Sequence, residues 1–304
     1  MNENKRLAGV VGWPVSHSLS PRLHSFWLSQ HQLPGAYVAL PVEPGDFGQA
    51  IAALPKLGFA GVSVTVPHKQ AAYAIASSLD DASRATAAVN TLLFRDGAVL
   101  GQNTDVVGFT DSLIDAFGRD AAARGPVTIL GAGGAARAIL FALQKLGAGE
   151  IRLVNRTQAT ADALAKLFSN SNIRSVAWGQ WRTAFSGAGL LINTTSLGLR
   201  GKPPLDVPLV DLPKTAAVAD IVYNPLNTGL LKAARTAGHQ TMDGLGMLLH
   251  QAVAQFEGYG EQSVTLSVAT VTNTVPGKDK YFDIDLSNLV NIQDPIDLSG
   301  RGVD

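Results

Sequence analysis

Short apolar runs alternate with longer amphipathic segments along most of the chain. The apolar runs predict strands, because they are short and are bounded by glycine, proline or polar turns. The amphipathic segments carry apolar residues at helical spacing, and several end at a glycine. The predicted strands cover residues 7–12, 35–41, 61–66, 127–130, 151–154, 190–194 and 217–222, and the predicted helices cover residues 21–30, 46–57, 109–117, 135–146 and 159–168. This order favours an α/β fold in which helices cover parallel or mixed sheets.

Two parts of the chain depart from this alternation. Residues 85–94 lead towards Asp96 and Gly97, a pair that is typical of a tight hairpin turn. Beyond residue 258 the chain becomes rich in threonine and valine, and residues 278–304 carry six acidic against three basic side chains without a helical period. We expect residues 258–304 to form an atypical tail that is partly ordered at most.

The composition narrows the classes of function. The chain has 304 residues, 46% of them hydrophobic, and 24 basic against 24 acidic residues give a net charge of zero. Without a global positive field we expect no nucleic-acid or membrane partner, but a small-molecule substrate held by local groups. No cysteine is present, which excludes disulfides, thiolate metal sites and a cysteine nucleophile. No apolar run resembles a signal peptide or approaches the ~20 residues of a membrane span, so we expect a cytoplasmic protein.

A glycine-rich turn lies between the predicted strand 127–130 and the predicted helix 135–146. The segment from Gly131 to Ala136 fits the pattern G-x-G-x-x-A of dinucleotide sites. Gly131 permits the tight turn, Gly133 lets the backbone approach a pyrophosphate, and the phosphates would sit at the positive end of the helix. Such a turn also serves packing alone, but the complete βαβ unit around it favours a dinucleotide.

The end of the next strand indicates which dinucleotide binds. Sites for NAD usually carry an acidic residue there, which holds the ribose diol. This chain has Asn155, Arg156 and Thr157 and no acidic residue at that point. A guanidinium beside a hydroxyl suits the 2′-phosphate of NADP, which a carboxylate would repel. The alternative is an exposed arginine in an ordinary loop. We expect NADP(H) as the cofactor.

Other polar residues gather in the first third of the chain, and each has an ordinary structural explanation. Ser18 and Ser20 precede a helix, where hydroxyls either bind a carboxylate or simply cap the helix. Lys69 follows a strand, where it either projects into a cleft or is a solvated surface charge. The segments around Asn90 and Asp105 are typical of turns when each is taken alone.

Taken in order, these segments resemble the shikimate dehydrogenase family. They are SHSLSP, SVTVPHK, AVNT, NTD, GAGGAA, NRT and LLHQA, spread between residue 7 and about residue 257. The resemblance implies two domains, an N-terminal α/β substrate domain and a Rossmann-type NADP-binding domain with a cleft between them. It implies domain limits at residues 1–105 and 106–241, with the first domain completed by a helix around residues 242–257. The implied activity is the interconversion of 3-dehydroshikimate and shikimate with NADPH, in aromatic amino-acid biosynthesis.

The same resemblance implies roles for individual residues. Ser18 and Ser20 match positions that bind the substrate carboxylate, and Lys69 and Asp105 match the catalytic pair. The matches in the substrate pocket are Thr65, Asn90, Asp105, Tyr223 and Gln251. The matches in the cofactor site are Gly131, Ala132, Gly133, Gly134, Ala135, Asn155, Arg156, Thr157, Gln158, Ala159 and Thr160 and, more loosely, Asp81, Ile221 and Gly244.

The implied chemistry suits these residue types. Hydride transfer at a secondary alcohol needs a nicotinamide and a group that moves one proton to or from the alcohol oxygen. An ammonium held by a carboxylate donates a hydrogen bond to a carbonyl and stabilises the alkoxide charge that develops there. Which of Lys69 and Asp105 transfers the proton stays open at this point.

Three features depart from the family pattern. Ser63 stands where the family usually has asparagine, and Thr194 stands where it usually has alanine. The third feature is the tail, because the family chain usually ends soon after the helix that carries Gln251.

Two alternatives to this function stay open. A quinate/shikimate dehydrogenase that uses NAD would share the fold and the chemistry. A non-catalytic ligand sensor would share the scaffold and bind without turnover. The assembly is expected to be a monomer or a homodimer.

Two further groups of residues have structural explanations. His17, His24 and His68 lack the spacing of a metal-binding motif, so no metal is expected. Trp178 and Trp181 are expected to pack in the core or at its rim, and not to stack on a ligand.

Overall fold

A computed structural model describes residues 6–168 and 172–260 of the chain. Within these ranges the strands form two six-stranded sheets, each covered by helices. The strands are β1 (Arg6–Gly12), β2 (Gly35–Pro41), β3 (Phe59–Val64), β4 (Ser78–Leu79), β5 (Thr91–Arg95), β6 (Ala98–Gln102), β7 (Val127–Leu130), β8 (Ile151–Asn155), β9 (Ile173–Ala177), β10 (Leu190–Asn193), β11 (Ala217–Asp220) and β12 (Thr241–Met242). The helices are α1 (Ser20–Gln30), α2 (Phe47–Ala53), α3 (Lys69–Ile75), α4 (Asp81–Thr86), α5 (Asp105–Phe117), α6 (Gly134–Lys145), α7 (Gln158–Leu167), α8 (Trp181–Phe185), α9 (Gly229–Thr236) and α10 (Leu245–Tyr259). Residues 261–304, which include most of the predicted tail, lie outside the described residues.

The first sheet, with the strand order β2-β1-β3-β5-β6-β4, is mixed. Strands β2, β1 and β3 run parallel, while β5 is antiparallel to both β3 and β6. One face buries Val62, Val64 and Leu92 against Phe47 and Ile51 of α2. The other face is covered by α1 and α10, which share a separate apolar cluster. This arrangement brings the carboxyl ends of β1, β3 and β6 to one edge of the sheet.

The second sheet, with the strand order β12-β11-β10-β7-β8-β9, is parallel throughout. Ile129 and Leu153 point into one apolar cluster together with Ile139 of α6, and Leu130 and Val154 point into another. Neighbouring residues of a strand face opposite sides, so a strand that is covered on both sides is apolar throughout. The strand order reverses between β7 and β10, and such a reversal opens a crevice at the carboxyl ends of the strands.

Helices α5 and α10 join the two sheets. Helix α5 contributes Phe109 to the core beside the second sheet, and α10 contributes Phe256 to the cluster that it shares with α1. The two helices cross closely, since a β-carbon on Gly108 would lie 2.7 Å from the β-carbon of Gln251. Helix α10 therefore packs with the first sheet, although the strands of that sheet come from the N-terminal part of the chain. The predicted domain limits at residues 105 and 241 stay predictions.

Most predicted elements are confirmed, and the differences concern mainly short elements. Helices α3 and α4 are missing from the sequence prediction because they have only seven and six residues, too few to show a helical period. The predicted helix 46–57 is interrupted: α2 ends at Ala53, and Leu54–Leu57 form a 3-10 turn, because Pro55 has no N–H for the α-helical ladder. The hairpin of β5 and β6 is confirmed, with φ of 50° at Asp96 and 77° at Gly97.

The crossing of α5 and α10 predicts that Gly108→Ala destabilises the fold. The added methyl group would overlap the Gln251 side chain at 2.7 Å and the Met247 carbonyl oxygen at 2.8 Å. We expect the free energy of unfolding, measured by urea denaturation, to fall by about 1–3 kcal/mol. Gly48→Ala in α2 is the matched control, because a β-carbon there meets no atom within 4 Å. Equal stability of G108A and the parent protein would contradict the close crossing.

Candidate active site

Lys69 and Asp105 form an ion pair at the carboxyl edge of the first sheet. Lys69 is the first residue of α3, which follows β3, and Asp105 is the first residue of α5, which follows β6. The Lys69 ammonium donates a hydrogen bond to Oδ2 of Asp105. The two side chains are 18% and 9% exposed, so the pair is shielded from bulk water but still accessible. The structure thus brings together the two residues that the resemblance implies as the catalytic pair.

Asn90 binds the oxygen of the Asp105 carboxylate that Lys69 leaves unbound. Its Nδ2 donates hydrogen bonds to Oδ1 of Asp105 at 2.8 Å and to Oγ1 of Thr104 at 3.0 Å. Its Oδ1 accepts hydrogen bonds from the Thr104 backbone N–H and from the Thr91 hydroxyl. Asn90 is only 2% exposed, and both of its amide hydrogens are engaged by protein atoms. In this arrangement it positions Asp105, a role that the sequence analysis did not foresee.

Asn103 fixes the start of α5 in a similar way. Its Nδ2 donates to Oγ1 of Thr86 and to the Ala88 carbonyl, both at 3.0 Å, and its Oδ1 accepts from the Asp105 backbone N–H at 3.3 Å. Asn90 and Asn103 directly precede and follow the paired strands of the hairpin. The sequence signal for both supports is an asparagine at each end of a predicted hairpin.

Ser18 and Ser20 lie where β1 leads into α1. Ser20 is the first residue of the helix and only 7% exposed, and the half-buried Ser18 accepts a hydrogen bond from the Ser20 N–H at 3.3 Å. The N-cap position is Leu19, whose side chain makes no cap hydrogen bond, and Ser20 already belongs to the helix, so the interpretation of Ser20 as a helix cap is wrong. The positive end of the helix dipole at this point favours an anion.

The other implied pocket residues come from three different elements. Thr65 is half-buried and follows β3 directly, four positions before Lys69. Gln251 lies on α10, and its β-carbon packs against Gly108 of α5. Gly108 is less than one helical turn from Asp105, the first residue of α5. Tyr223 follows β11 and lines the crevice of the second sheet, and burial raises its pKa.

A buried hydroxyl cluster, which the sequence analysis missed, is linked to Ser20 through Tyr37. The Ser63 hydroxyl accepts a hydrogen bond from the Tyr37 hydroxyl at 2.6 Å and donates one to Oε1 of Gln255 at 2.7 Å. The Tyr259 hydroxyl lies 2.9 Å from it. Burial raises the pKa of both tyrosines far above the ordinary value, so both stay neutral. The small side chain of Ser63 is thus the point where hydroxyl groups from β2 and α10 meet.

A cleft of about 460 Å³ opens at the carboxyl ends of β7, β8, β10 and β11. The glycine turn of residues 131–135 forms one wall. Gly131 has φ of +106°, and a β-carbon there would lie 2.7 Å from the Thr194 hydroxyl, so only glycine fits. Gly133 is exposed, and a β-carbon there would meet no atom within 4 Å, which leaves its backbone open to a phosphate. These features fit a dinucleotide whose pyrophosphate lies at the start of α6.

The end of β8 carries the residues expected to select NADP. Arg156 is exposed and lines the cleft beside half-buried Asn155, whose Nδ2 donates to the Thr157 carbonyl at 2.9 Å. Gln158, Ala159 and Thr160 begin α7 and are exposed. The described residues that line the cleft include no aspartate or glutamate.

The three loosely matched cofactor positions differ in their placement. Ile221 lines the cleft. Gly244 packs behind it, because a β-carbon at position 244 would lie 2.1 Å from the Ile221 carbonyl oxygen. Asp81 is exposed on α4 and pairs with Arg84 at 2.6 Å, so the structure does not bring it to the cleft lining.

The ion pair and the dinucleotide cleft face each other. A β-carbon on Gly134 would lie 3.9 Å from Cδ of Lys69, so the stem of the lysine reaches the glycine turn. His17 and Val66, from loops of the first sheet, also line the cleft. Arg137 of α6 donates a hydrogen bond to the Thr86 carbonyl at 3.2 Å.

The three histidines considered as metal ligands lie apart. His24 is buried and stacks on Tyr37 at 4.0 Å, and burial lowers its pKa to about 3. His68 stacks on Phe47 at 4.6 Å, and His17 is exposed at the cleft. Within residues 6–168 and 172–260, no three histidine, aspartate or glutamate side chains gather in a group suited to a metal ion.

Asp220 is a buried carboxylate beneath the cleft. It accepts hydrogen bonds from Nδ2 of Asn193 at 2.9 Å, from the Thr228 hydroxyl at 2.7 Å and from the Val222 N–H at 3.1 Å. Burial raises its pKa to about 6, and the hydrogen bonds offset only part of that effect. Asn193 in turn accepts a hydrogen bond from the Thr195 N–H at 3.0 Å. Asp220 therefore ties together the segments after β10 and β11 that line the cleft.

This combination defines a class of protein. A parallel sheet with a glycine turn at its crossover forms a Rossmann-type dinucleotide site, and a lysine–aspartate pair faces it from a second domain. Such a site suits a nicotinamide-dependent dehydrogenase, which needs a group for the proton beside the cofactor for the hydride.

Comparison with known proteins gives the family. The model described as "Shikimate dehydrogenase substrate binding domain" matches residues 10–92, and "Shikimate / quinate 5-dehydrogenase" matches residues 117–198. A Rhodospirillum rubrum protein named shikimate dehydrogenase (NADP(+)) is 50% identical over 258 residues, which are 84% of this chain and 91% of the relative. The chain belongs to the shikimate dehydrogenase family and is an oxidoreductase, as the resemblance predicts.

Two solved structures illustrate the range of this fold. The shikimate 5-dehydrogenase of Thermus thermophilus, in complex with NADP(H) and shikimate, has a TM-score of 0.74 and 35% identity over 84% of this chain and 94% of that one. The quinate dehydrogenase of Corynebacterium glutamicum, in complex with NAD, has a TM-score of 0.78 and 28% identity over 86% of this chain and 95% of that one. The predicted two-domain α/β fold with a Rossmann-type domain is confirmed.

The buried Asp220 predicts a component of stability that is lost as the pH rises. Its pKa is raised to about 6 in the folded protein from an ordinary 3.8, so the folded protein binds this proton more tightly than the unfolded chain. The stabilisation is fully present below about pH 4 and is lost as the pH rises through 6, a change of about 2–3 kcal/mol. We expect Asp220→Asn to remove this component, as urea denaturation between pH 4 and 7.5 would show.

Asp206→Asn is the matched control for this measurement. Asp206 is exposed, so its replacement should leave the pH dependence of the parent protein unchanged. Parallel pH profiles of D220N and D206N would contradict the raised pKa of Asp220.

Proposed function

We propose that the chain is an NADP-dependent shikimate dehydrogenase that interconverts 3-dehydroshikimate and shikimate. The observation that carries the proposal is the position of Lys69. Its ammonium is paired with Asp105, and its stem reaches the glycine turn at Gly134. A reversible carbonyl reduction requires such a proton-handling pair beside a dinucleotide site. The reaction would serve aromatic amino-acid biosynthesis.

The reduction adds a hydride to the carbonyl carbon and a proton to its oxygen. The reduced nicotinamide supplies the hydride when NADPH is bound. Lys69 donates a hydrogen bond to the carbonyl oxygen and stabilises the negative charge that develops there. Asp105, fixed by Asn90, holds the ammonium in position through its hydrogen bond and orients it towards the substrate. The proton reaches the alcohol oxygen through this pair.

Ser18 and Ser20 are proposed to bind the substrate carboxylate. The start of α1 supports this role, because the positive end of the helix dipole lies beside both serines and favours an anion. Thr65, Tyr223 and Gln251 are proposed to meet the ring hydroxyls, and their support is that each belongs to an element next to the ion pair or the cleft.

NADP is proposed over NAD because of the positive charge in the part of the cleft at the carboxyl end of β8, where the adenosine half of the cofactor would bind. Arg156 is exposed there, and no described lining residue is acidic. A guanidinium attracts the 2′-phosphate of NADP, whereas the ribose diol of NAD finds no carboxylate to accept its hydrogen bonds. The relative with 50% identity is likewise named for NADP.

A quinate dehydrogenase that uses NAD is the nearest alternative. Quinate carries one more hydroxyl on the carbon that bears its carboxylate, close to where Ser18 and Ser20 would bind. Both serines and Arg156 are present, and identity to the NAD-bound quinate dehydrogenase is only 28%. A ligand sensor without turnover is disfavoured because Lys69 and Asp105 are both present and paired.

Location and assembly stay predictions. In the part of the chain that the structure describes, helices are too short or too polar to cross a membrane. A cytoplasmic location and an assembly of one or two chains are proposed on the sequence argument alone.

Replacing Lys69, the proposed catalytic lysine, is expected to lower turnover strongly. Lys69→Met keeps an unbranched stem but removes the ammonium, and should lower kcat for shikimate with NADP by about 10²–10⁴-fold. Turnover is measured from nicotinamide absorbance with shikimate and quinate, each with NADP and NAD. Lys56→Met, at an exposed lysine away from the cleft, is the control and should retain the activity of the parent. Unchanged kcat in K69M would refute the assigned chemistry.

Replacing Arg156 is expected to weaken NADP more than NAD. Arg156→Ala removes the guanidinium proposed to meet the 2′-phosphate, so the KM for NADP should rise about tenfold or more. The KM for NAD, which lacks that phosphate, should change little. Lys166→Ala, an exposed cation on α7 outside the cleft lining, is the control. An equal rise for both cofactors would show that Arg156 does not select between them.

A further inference from the structure

The strand order assigns a different half of the cofactor to each end of the cleft. The glycine turn after β7 lies in the middle of the sheet, where the pyrophosphate would sit. The reactive nicotinamide half belongs over β10 and β11, where Tyr223 lines the cleft and where the reaction needs the Lys69 pair. The adenosine half must then extend the other way, past Arg156 and over β8 and β9.

Trp178 lies at this adenosine end. It directly follows β9 and lines the cleft together with Asn155 and Arg156. Its half-buried ring meets Trp181 in an edge contact at 5.1 Å and 74°, and Trp181 stacks on Phe185 at 5.8 Å and 22°. Trp178 is therefore held by packing against Trp181, while it is only half-buried and lines the cleft.

The surroundings of Trp178 suit a flat apolar base. Trp178 and Leu197 both line the cleft, and both pack against the apolar cluster that includes Leu130 and Val154. Arg156 is exposed and lines the same cleft. An apolar wall beside a cation matches an adenine whose ribose carries a phosphate.

We propose that Trp178 binds the adenine ring of the cofactor and so places the 2′-phosphate beside Arg156. This inference rests on the proposed use of NADP and replaces the expectation that Trp178 only packs. Trp181 keeps the packing role, since it does not line the cleft. The adenine is remote from the reacting carbon, so this contact should affect cofactor affinity and leave the chemical step unchanged.

The test uses 2′,5′-ADP, which contains the adenine and the 2′-phosphate but no nicotinamide. We expect Trp178→Leu to raise its dissociation constant, measured by calorimetry, about tenfold, as the loss of a stacked base does. Trp181→Leu is the matched control and should stay within about twofold of the parent. In turnover assays W178L should raise the KM for NADPH and leave kcat unchanged, and reduced nicotinamide mononucleotide, which lacks adenine, should not distinguish W178L from the parent.

Trp178→Phe provides a second variant in case W178L does not fold. It keeps an aromatic face, so it should bind 2′,5′-ADP nearly as well as the parent. We expect this ligand to quench the tryptophan fluorescence of the parent but not that of W178F. Equal dissociation constants for W178L and the parent, an equal loss in W181L, or no binding of 2′,5′-ADP by the parent would overturn the adenine site. Absence of shikimate turnover with intact 2′,5′-ADP binding would overturn the proposed function alone.

Discussion

Lys69 and Asp105 carry opposite charges at a place where only a small part of each side chain meets water. Charges removed from water are tolerated only when their partners are well placed, because the loss of hydration is large. Asn90 occupies the second carboxylate oxygen, and Asn103 binds the backbone N–H of the same aspartate. The first sheet places both charges at one edge, because Lys69 follows β3 and Asp105 follows β6.

The second domain also contacts the ion pair and the helices around it. The stem of Lys69 reaches the glycine turn at Gly134, and Arg137, in the first turn of α6, donates to the Thr86 carbonyl. The Thr86 hydroxyl accepts from Asn103, so hydrogen bonds run from α6 through α4 to the start of α5. Burial lowers the pKa of Arg137, which nevertheless stays a cation at ordinary pH. These contacts connect the glycine turn and α6 of the second domain to Lys69 and to the start of α5.

Sequence reasoning succeeded where the informative residues are contiguous. The glycine turn at Gly131 and the cation at Arg156 belong to one βαβ unit, so motif and context could be read together. The cluster at Ser63 could not be predicted, because its partners on β2 and α10 lie 26 to 196 positions away. The exposure of Trp178 to the cleft depends on β9 pairing with β8 at the sheet edge, whereas its spacing from Trp181 indicates only a shared packing face.

The strand register of the β5–β6 hairpin determines where Asp105 lies relative to Asn90. Asn90 and Asn103 adjoin the paired strands at the end nearest Asp105, while the exposed turn at Asp96 and Gly97 lies at the opposite end. A slip of one position would turn every side chain of a strand to the other face. An insertion at the turn should therefore leave the hydrogen bond between Asn90 and Asp105 intact. A single residue inserted within β5 or β6 should break that hydrogen bond, although the inserted residue lies away from it.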